Sequence, residues 1–322
     1  MNIIIVGEML LRLTIIVISC DLFTRGAERL GYYSGLSKHS VGRVIAAIGT
    51  ALPETIVPII AIFRGGHAGK DIGLGAALGS TFMLGTLAMF VGGISIIAAY
   101  LAGKRDTIKL NIDLEAFKYD VIFFLLAYLI IRIAILFETD LRLLATVLIV
   151  LYAIYAYLIT RGEAVGEEGL PELIGPENFA NALLHLLIGT LGIIIGAKFF
   201  VHDVALLAEE LNVDPFVLSV FITPIATELP EKTNSVIRYI RSKDDYALGN
   251  ITGAMVFQAT IVIAIVMLYA RRVDKLVEEL IVINLLAALY LALIVFTKKA
   301  NGITLTLAGA LYLLYAYLAL AM

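Results

Sequence analysis

The sequence predicts an all-α integral membrane protein, with ten transmembrane helices arranged as two inverted five-helix repeats and both termini extracellular. Three observations carry that prediction. Of 322 residues, 61% are apolar and 16% charged, with a mean hydropathy of +0.96, whereas soluble domains hold roughly 45–50% apolar and 25% charged residues. The apolar residues fall into runs of about 20, the length that crosses a hydrocarbon core as a helix. One half of the chain also repeats in the other at a nearly constant offset.

Taken in order, spans are predicted at 3–22, 41–63, 72–101, 119–137 and 142–160, then at 180–201, 214–237, 246–269, 277–297 and 303–321. The first carries Glu8 and Arg12, where a cleavable leader has an uninterrupted apolar core, so it reads as a membrane helix in which the two charges neutralise each other one turn apart. The second and seventh each hold a Pro-Glu pair in mid-span. The third and eighth open at Asp71 and Asp245, where a carboxylate caps free amides and favours the helix dipole. The tyrosines of the tenth, Tyr312, Tyr315 and Tyr317, read as interfacial or packing aromatics.

Between the fifth and sixth spans, Arg161 to Asn178 is rich in Gly, Pro and Glu and reads as a linker. The chain therefore divides into a first repeat at 1–160, an acidic connection at 161–178 and a second repeat at 179–322. Connections after odd-numbered spans hold 14 Lys and Arg, those after even-numbered spans 6. The positive-inside rule then places both termini outside, in a multi-pass protein of the cell membrane.

Composition also excludes several function classes. A net charge of −3 gives no basic surface for nucleic acid, the single Cys20 cannot form an intrachain disulfide, and no two of the four histidines have the spacing of a zinc motif. No catalytic dyad or nucleophile–base pair is recognisable, so neither an enzyme nor a bound cofactor is expected.

The repeat sets Ile48-Gly-Thr-Ala-Leu-Pro-Glu54 against Ile225-Ala-Thr-Glu-Leu-Pro-Glu231 at an offset of 177. A shorter following loop changes the offset to 174, pairing Asp71 with Asp245, Gly75 with Gly249 and Gly79 with Gly253. Five spans is an odd number, so the second copy enters the membrane inverted, an architecture of secondary transporters that bind substrate at the repeat interface near the midplane.

Proline in mid-span removes a donor and is expected to kink or break the helix, freeing carbonyl oxygens beside a carboxylate. Glu54 and Glu231, with the carbonyls of Ala47 and Thr50 on one side and of Pro224 and Thr227 on the other, then form a ligand set for a hard cation such as Ca2+. Glu228 is either a further ligand or the partner of Lys232, four residues on. Gly75-x-x-x-Gly79 and Gly249-x-x-x-Gly253 read as close-packing stripes. The polar neighbours Ser80, Asn250, Thr252 and Gln258 are placed to face the ion.

The pattern resembles the cation/calcium antiporter superfamily, which includes the sodium/calcium exchangers. That family's two alpha repeats read approximately Gly-Thr-Ser-x-Pro-Glu on one helix and Gly-Asn-x-x-Gly-Ser-Asn-x-x-Asp/Asn on the next. Here the matches are Gly49-Thr50-Ala51-Leu52-Pro53-Glu54 with Ala226-Thr227-Glu228-Leu229-Pro230-Glu231, then Gly75 to Ser80 with Gly249 to Ala254. The resemblance implies ten helices, a central calcium site between the two glutamates, flanking sodium sites, and alternating access by sliding of the first and sixth helices.

The departures are as specific. The family's serine three residues before each glutamate is Ala51 in one half and Glu228 in the other, and the later carboxamide position holds Leu84 and Gln258. Lys232 faces Thr55 across the repeat. The expectation is an antiporter that exchanges calcium, or a similar divalent cation, for sodium or protons. The alternative is a cation channel that uses the same carboxylates for selectivity, although such rings usually come from identical subunits.

Overall fold

The computed structural model describes residues 3–33, 51–64, 66–112, 114–161, 178–269 and 273–321. They are helical nearly throughout, and the sole β-bridge among them is an isolated antiparallel pair, Lys109 with Asn301. In chain order the helices are α1 (Ile3–Tyr33), α2 (Leu52–Arg64), α3 (Gly66–Leu101), α4 (Leu114–Leu136) and α5 (Leu141–Arg161). Then come α6 (Phe179–Leu211), α7 (Pro215–Ile240), α8 (Asp244–Met267), α9 (Lys275–Phe296) and α10 (Gly302–Ala319).

Seven of these, among the described residues, contain a stretch long and apolar enough to cross a membrane: Gly66–Leu101, Phe117–Leu136, Leu141–Ile159, Phe179–Leu211, Asp244–Met267, Lys275–Phe296 and Gly302–Ala319. Leu52–Phe63 and Pro215–Glu228 are apolar but shorter. Residues 41–50 of the predicted second span and most of the predicted linker, 162–177, lie outside the described residues.

Several helices outrun the apolar stretch that predicted them. α6 continues from residue 201 to Leu211, held at its start by the Asn178 side chain, which accepts from the Asn181 amide, and ended by Asn212 in the left-handed conformation (φ 53°). α3 starts at Gly66, so Asp71 lies inside the helix and does not cap it. Asp245 is in the first turn of α8, where it favours the dipole, while Lys243 is the residue before the helix.

Packing divides the chain into two units, Met1–Gly73 with Gly162–Leu218, and Leu74–Arg161 with Ser219–Met322. In the first unit α1 lies along α6. A Cβ on Gly189 would stand 2.5 Å from the Phe23 amide nitrogen, and one on Gly26 would stand 2.6 Å from that of Leu186, so glycine on each helix permits the close approach. Arg12 donates to Glu8 at 2.7 Å, as the sequence predicts, and also to the buried Asp203 of α6.

In the second unit the connections after α3, α7 and α9 come together. The Gly302 amide donates to the Ile108 carbonyl at 2.9 Å, and the Asn111 amide to Asp244 at 2.9 Å. Arg105 forks onto both Asp244 oxygens at 2.7 and 2.8 Å. All three are connections after odd-numbered helices. Tyr315 is buried against Phe82 and Phe221, whereas Tyr317 is exposed.

The close-packing reading of the glycines holds for one pair member and fails for another. A Cβ on Gly79 would lie 2.5 Å from the Val220 carbonyl oxygen, whereas nothing lies within 4 Å of a Cβ on Gly249 or Gly253. A Cβ on Gly93, which the sequence does not mark, would lie 2.5 Å from Gly302 O and from Thr306 N. Gly93→Ala is therefore expected to cost about 1–3 kcal/mol by overpacking, while Gly249→Ala is neutral or gains up to about 1 kcal/mol of helix propensity. Thermal unfolding of both variants in detergent checks this, and equal midpoints would contradict it.

Candidate functional site

Glu54 sits in the first turn of α2, 2% exposed. Pro53 is in the same turn, where a missing amide leaves no intrahelical bond unmade. Ala47 and Thr50, proposed from the sequence as carbonyl donors on this side, lie outside the described residues.

α7 supplies the other motif. The sequence reading expects Pro230 to kink or break the span; it does not break, since α7 runs from Pro215 to Ile240 through both Pro224 and Pro230. In an uninterrupted helix each amide donates to the carbonyl four residues back, so the donors missing here are those for Val220 and Ala226. Gly79 brings the α3 backbone against Val220 at this place. The Glu231 backbone belongs to α7, and its side chain lies outside the described residues.

The remaining candidates on α7 are buried. Thr227 is 2% exposed, and its hydroxyl donates to the Thr223 carbonyl at 3.1 Å. Glu228 is fully buried, with Lys232 Nζ 3.3 Å from Oε2 and the Gln258 side-chain amide donating to Oε1 at 2.7 Å. Gln258 is buried in α8 and its Oε1 has no hydrogen-bond partner among the described residues. The same holds for the Ser80 hydroxyl of α3, 2% exposed. Among the described residues no three His, Cys, Asp or Glu side chains gather as a metal-holding group.

Two local features were not legible in the sequence. α3 and α8 each contain one π-helical turn, Leu84–Ala88 and Gln258–Val262, and the two start 174 residues apart, the same offset as the glycine repeat. π turns widen the helix by one residue and occur often at functional sites. The one in α8 starts at Gln258, the residue that reaches Glu228. A cavity of about 180 Å³ lies beside this region in the second unit, walled by Met83, Leu87 and Val91 of α3 and by Lys232, Ser235 and Tyr239 of α7.

Two further polar clusters were missed. Asp120 of α4 is 7% exposed and accepts from Tyr155 at 2.8 Å and from Thr252. That interaction turns Thr252 toward α4. Asn250 donates instead to Ser235 of α7 at 3.3 Å. Asn284 of α9 is fully buried, its amide donating to the Leu280 carbonyl at 3.1 Å. A carboxylate or carboxamide within an apolar span is the signal that would have found Asp120 and Asn284.

Carboxylates and carboxamides buried on apolar helices, as among the described residues here, are the mark of ion pathways in membrane transporters. The family model for sodium/calcium exchanger proteins matches residues 5–161 and 181–322, and the chain belongs to that family. It is 25% identical over 287 residues to the uncharacterized membrane protein MJ0091 of Methanocaldococcus jannaschii, with 89% of each chain covered. Among solved structures it is similar to the H+/Ca2+ exchanger CAX, with a TM-score of 0.76, 21% identity and coverage of 98% of this chain and 82% of that one. It is also similar to the sodium-calcium exchanger NCX_Mj soaked with Na+ and Sr2+, with a TM-score of 0.59, 23% identity and coverage of 98% and 99%. At these identities the two structures share their fold with this chain.

Proposed function

We propose that this chain is a secondary-active antiporter that exchanges Ca2+, or a similar divalent cation, for Na+ or protons by alternating access. Glu54 and Glu231 are the carboxylates that hold the divalent ion, assisted by Thr50, Thr227, Ser80, Gln258 and the Ala47 carbonyl. The ten spans form two inverted repeats in the cell membrane with both termini outside, and no cofactor takes part.

The observation that carries this reading is the doubled Pro-Glu element, in a chain of the exchanger family, followed in each half by a helix with a π turn at the equivalent position. Two carboxylates within the membrane are costly unless a cation neutralises them, so the site crosses when loaded with one ion type or the other. The similar structures are named for H+/Ca2+ and for sodium-calcium exchange, so each counter-ion has a precedent on this fold.

The test is Ca2+ uptake into proteoliposomes under separately imposed Na+ and proton gradients. Uptake is expected with one outward gradient and to cease when that gradient is dissipated. Ca2+ entry that ignores both gradients would mark a channel and overturn the reading.

A further inference from the structure

The second motif carries a charge arrangement that its partner lacks. Glu228, Lys232 and Gln258 meet in the second unit, with Nζ 3.3 Å from one Glu228 oxygen and the Gln258 amide 2.7 Å from the other. At the repeat offsets of 177 and 174, their counterparts in the first half are Ala51, Thr55 and Leu84. All three polar groups are absent there together. Glu228 and Lys232 lie one turn apart and Gln258 is 30 positions from Glu228, yet the three differ as a set and behave as one device, because a lone buried carboxylate, ammonium or carboxamide would each be costly in lipid.

The Lys232 side chain also stands on the wall of the 180 Å³ cavity, next to Glu231 in the chain. Its ammonium, 3.3 Å from Glu228 Oε2, is the positive charge beside that carboxylate. Lysine supplies a compact point charge on a flexible stem, the closest side-chain equivalent of a monovalent ion.

We propose that Lys232 is a tethered cation, which permanently takes a place beside Glu228 that a transported monovalent cation would otherwise occupy and so sets the exchange ratio. The proposal rests on the antiporter reading. Glu54, Glu231 and Glu228 together carry three negative charges and Lys232 returns one. The remaining two are neutralised by a single Ca2+ on one limb of the cycle, or by about two monovalent cations on the other, so that exchange is electroneutral. Without the ammonium, the counter-ion limb needs about three monovalent cations.

The experiment measures counter-ion moved per Ca2+, and current at clamped voltage, for wild type, Lys232→Met and the double variant Glu228→Gln/Lys232→Met in proteoliposomes. One arm uses a Na+ gradient at equal pH and the other a pH gradient without Na+, which separates the two counter-ions. The wild type is expected to be currentless at about two per Ca2+, Lys232→Met to rise to about three with one charge moved per cycle, and the double variant to return to the wild-type ratio. Lys232→Thr, which installs the first half's residue, carries the same expectation if the methionine variant does not fold.

Single variants that keep the wild-type ratio without current would overturn the proposal and leave the pair as a helix-stabilising contact. Wild-type vesicles that move no Ca2+ under either gradient would instead remove the antiporter reading. The tethered cation is then measured on solubilised protein, as one additional labelled Na+ retained per molecule of Lys232→Met over wild type, and equal retention overturns it.

Discussion

Glu54→Gln and Glu231→Gln are each expected to reduce Ca2+ uptake into proteoliposomes by about 100-fold or more, while the protein stays monodisperse in detergent. Glutamine keeps the size of the side chain and one acceptor oxygen, so packing around the 2%-exposed Glu54 is preserved. What it removes is the charge. A dehydrated divalent cation is held by oxygen ligands whose negative charge replaces its water shell, and withdrawing one charged partner from a buried set costs on the order of 3 kcal/mol or more. The loss is expected at both positions because they are equivalent points of the repeat. Undiminished uptake in both variants would remove the central functional claim, whatever the counter-ion.

Arg105→Ala is expected to cost about 3–5 kcal/mol of stability, the largest effect foreseen away from the motif helices. Arg105 forks onto both oxygens of Asp244 and also donates to the Tyr239 carbonyl and, at 3.3 Å, to the Lys109 carbonyl. Its side chain is 2% exposed and that of Asp244 is fully buried. Hydrogen bonding to Asp244 outweighs burial and raises the affinity of the guanidinium for its proton above the ordinary arginine value. The guanidinium therefore stays charged, and alanine would leave Asp244 buried with only the Asn111 amide as a donor among the bonds described.

The consequence reaches three connections, since Arg105 and its neighbours tie the segment after α3 to the end of α7, the start of α8 and the residues before α10. Heating in detergent followed by size-exclusion chromatography reads the effect. Replacing both partners, as in Arg105→Met/Asp244→Leu, is expected to recover part of the loss, because two apolar groups leave no charge unpaired. A single variant as heat-resistant as the wild type would contradict the assignment.

The helices were legible in the sequence to the extent that lipid dictates composition. The run predicted at 142–160 is the helix Leu141–Arg161, and that predicted at 277–297 is Lys275–Phe296. Where prediction and structure part, the extra residues bring in charges, Asp203, Glu209 and Glu210 in α6 beyond 201 and Lys70 and Asp71 in α3 before 72. Helical hydrogen bonding continues past the apolar run because side-chain caps, and not the membrane boundary, end a helix. Of the kink or break expected at Pro230, the break is absent for a related reason. A missing amide removes one bond, and tertiary packing holds the rest of α7 in register.

The sequence by itself determined the membrane class, the two-fold repeat and the Pro-Glu elements, since apolar run length and a constant offset are local or periodic properties. It also brought Glu228 and Lys232 within one helical turn. Only the tertiary structure decided which way Glu228 turns, because Gln258 lies 30 residues away and reaches it through a π turn that no propensity marks. The pairs Arg12 with Asp203, Arg105 with Asp244 and Thr252 with Asp120 were decided in the same way. Their partners are separated by 191, 139 and 132 residues, and a charge in lipid takes whichever partner the packing of helices places beside it.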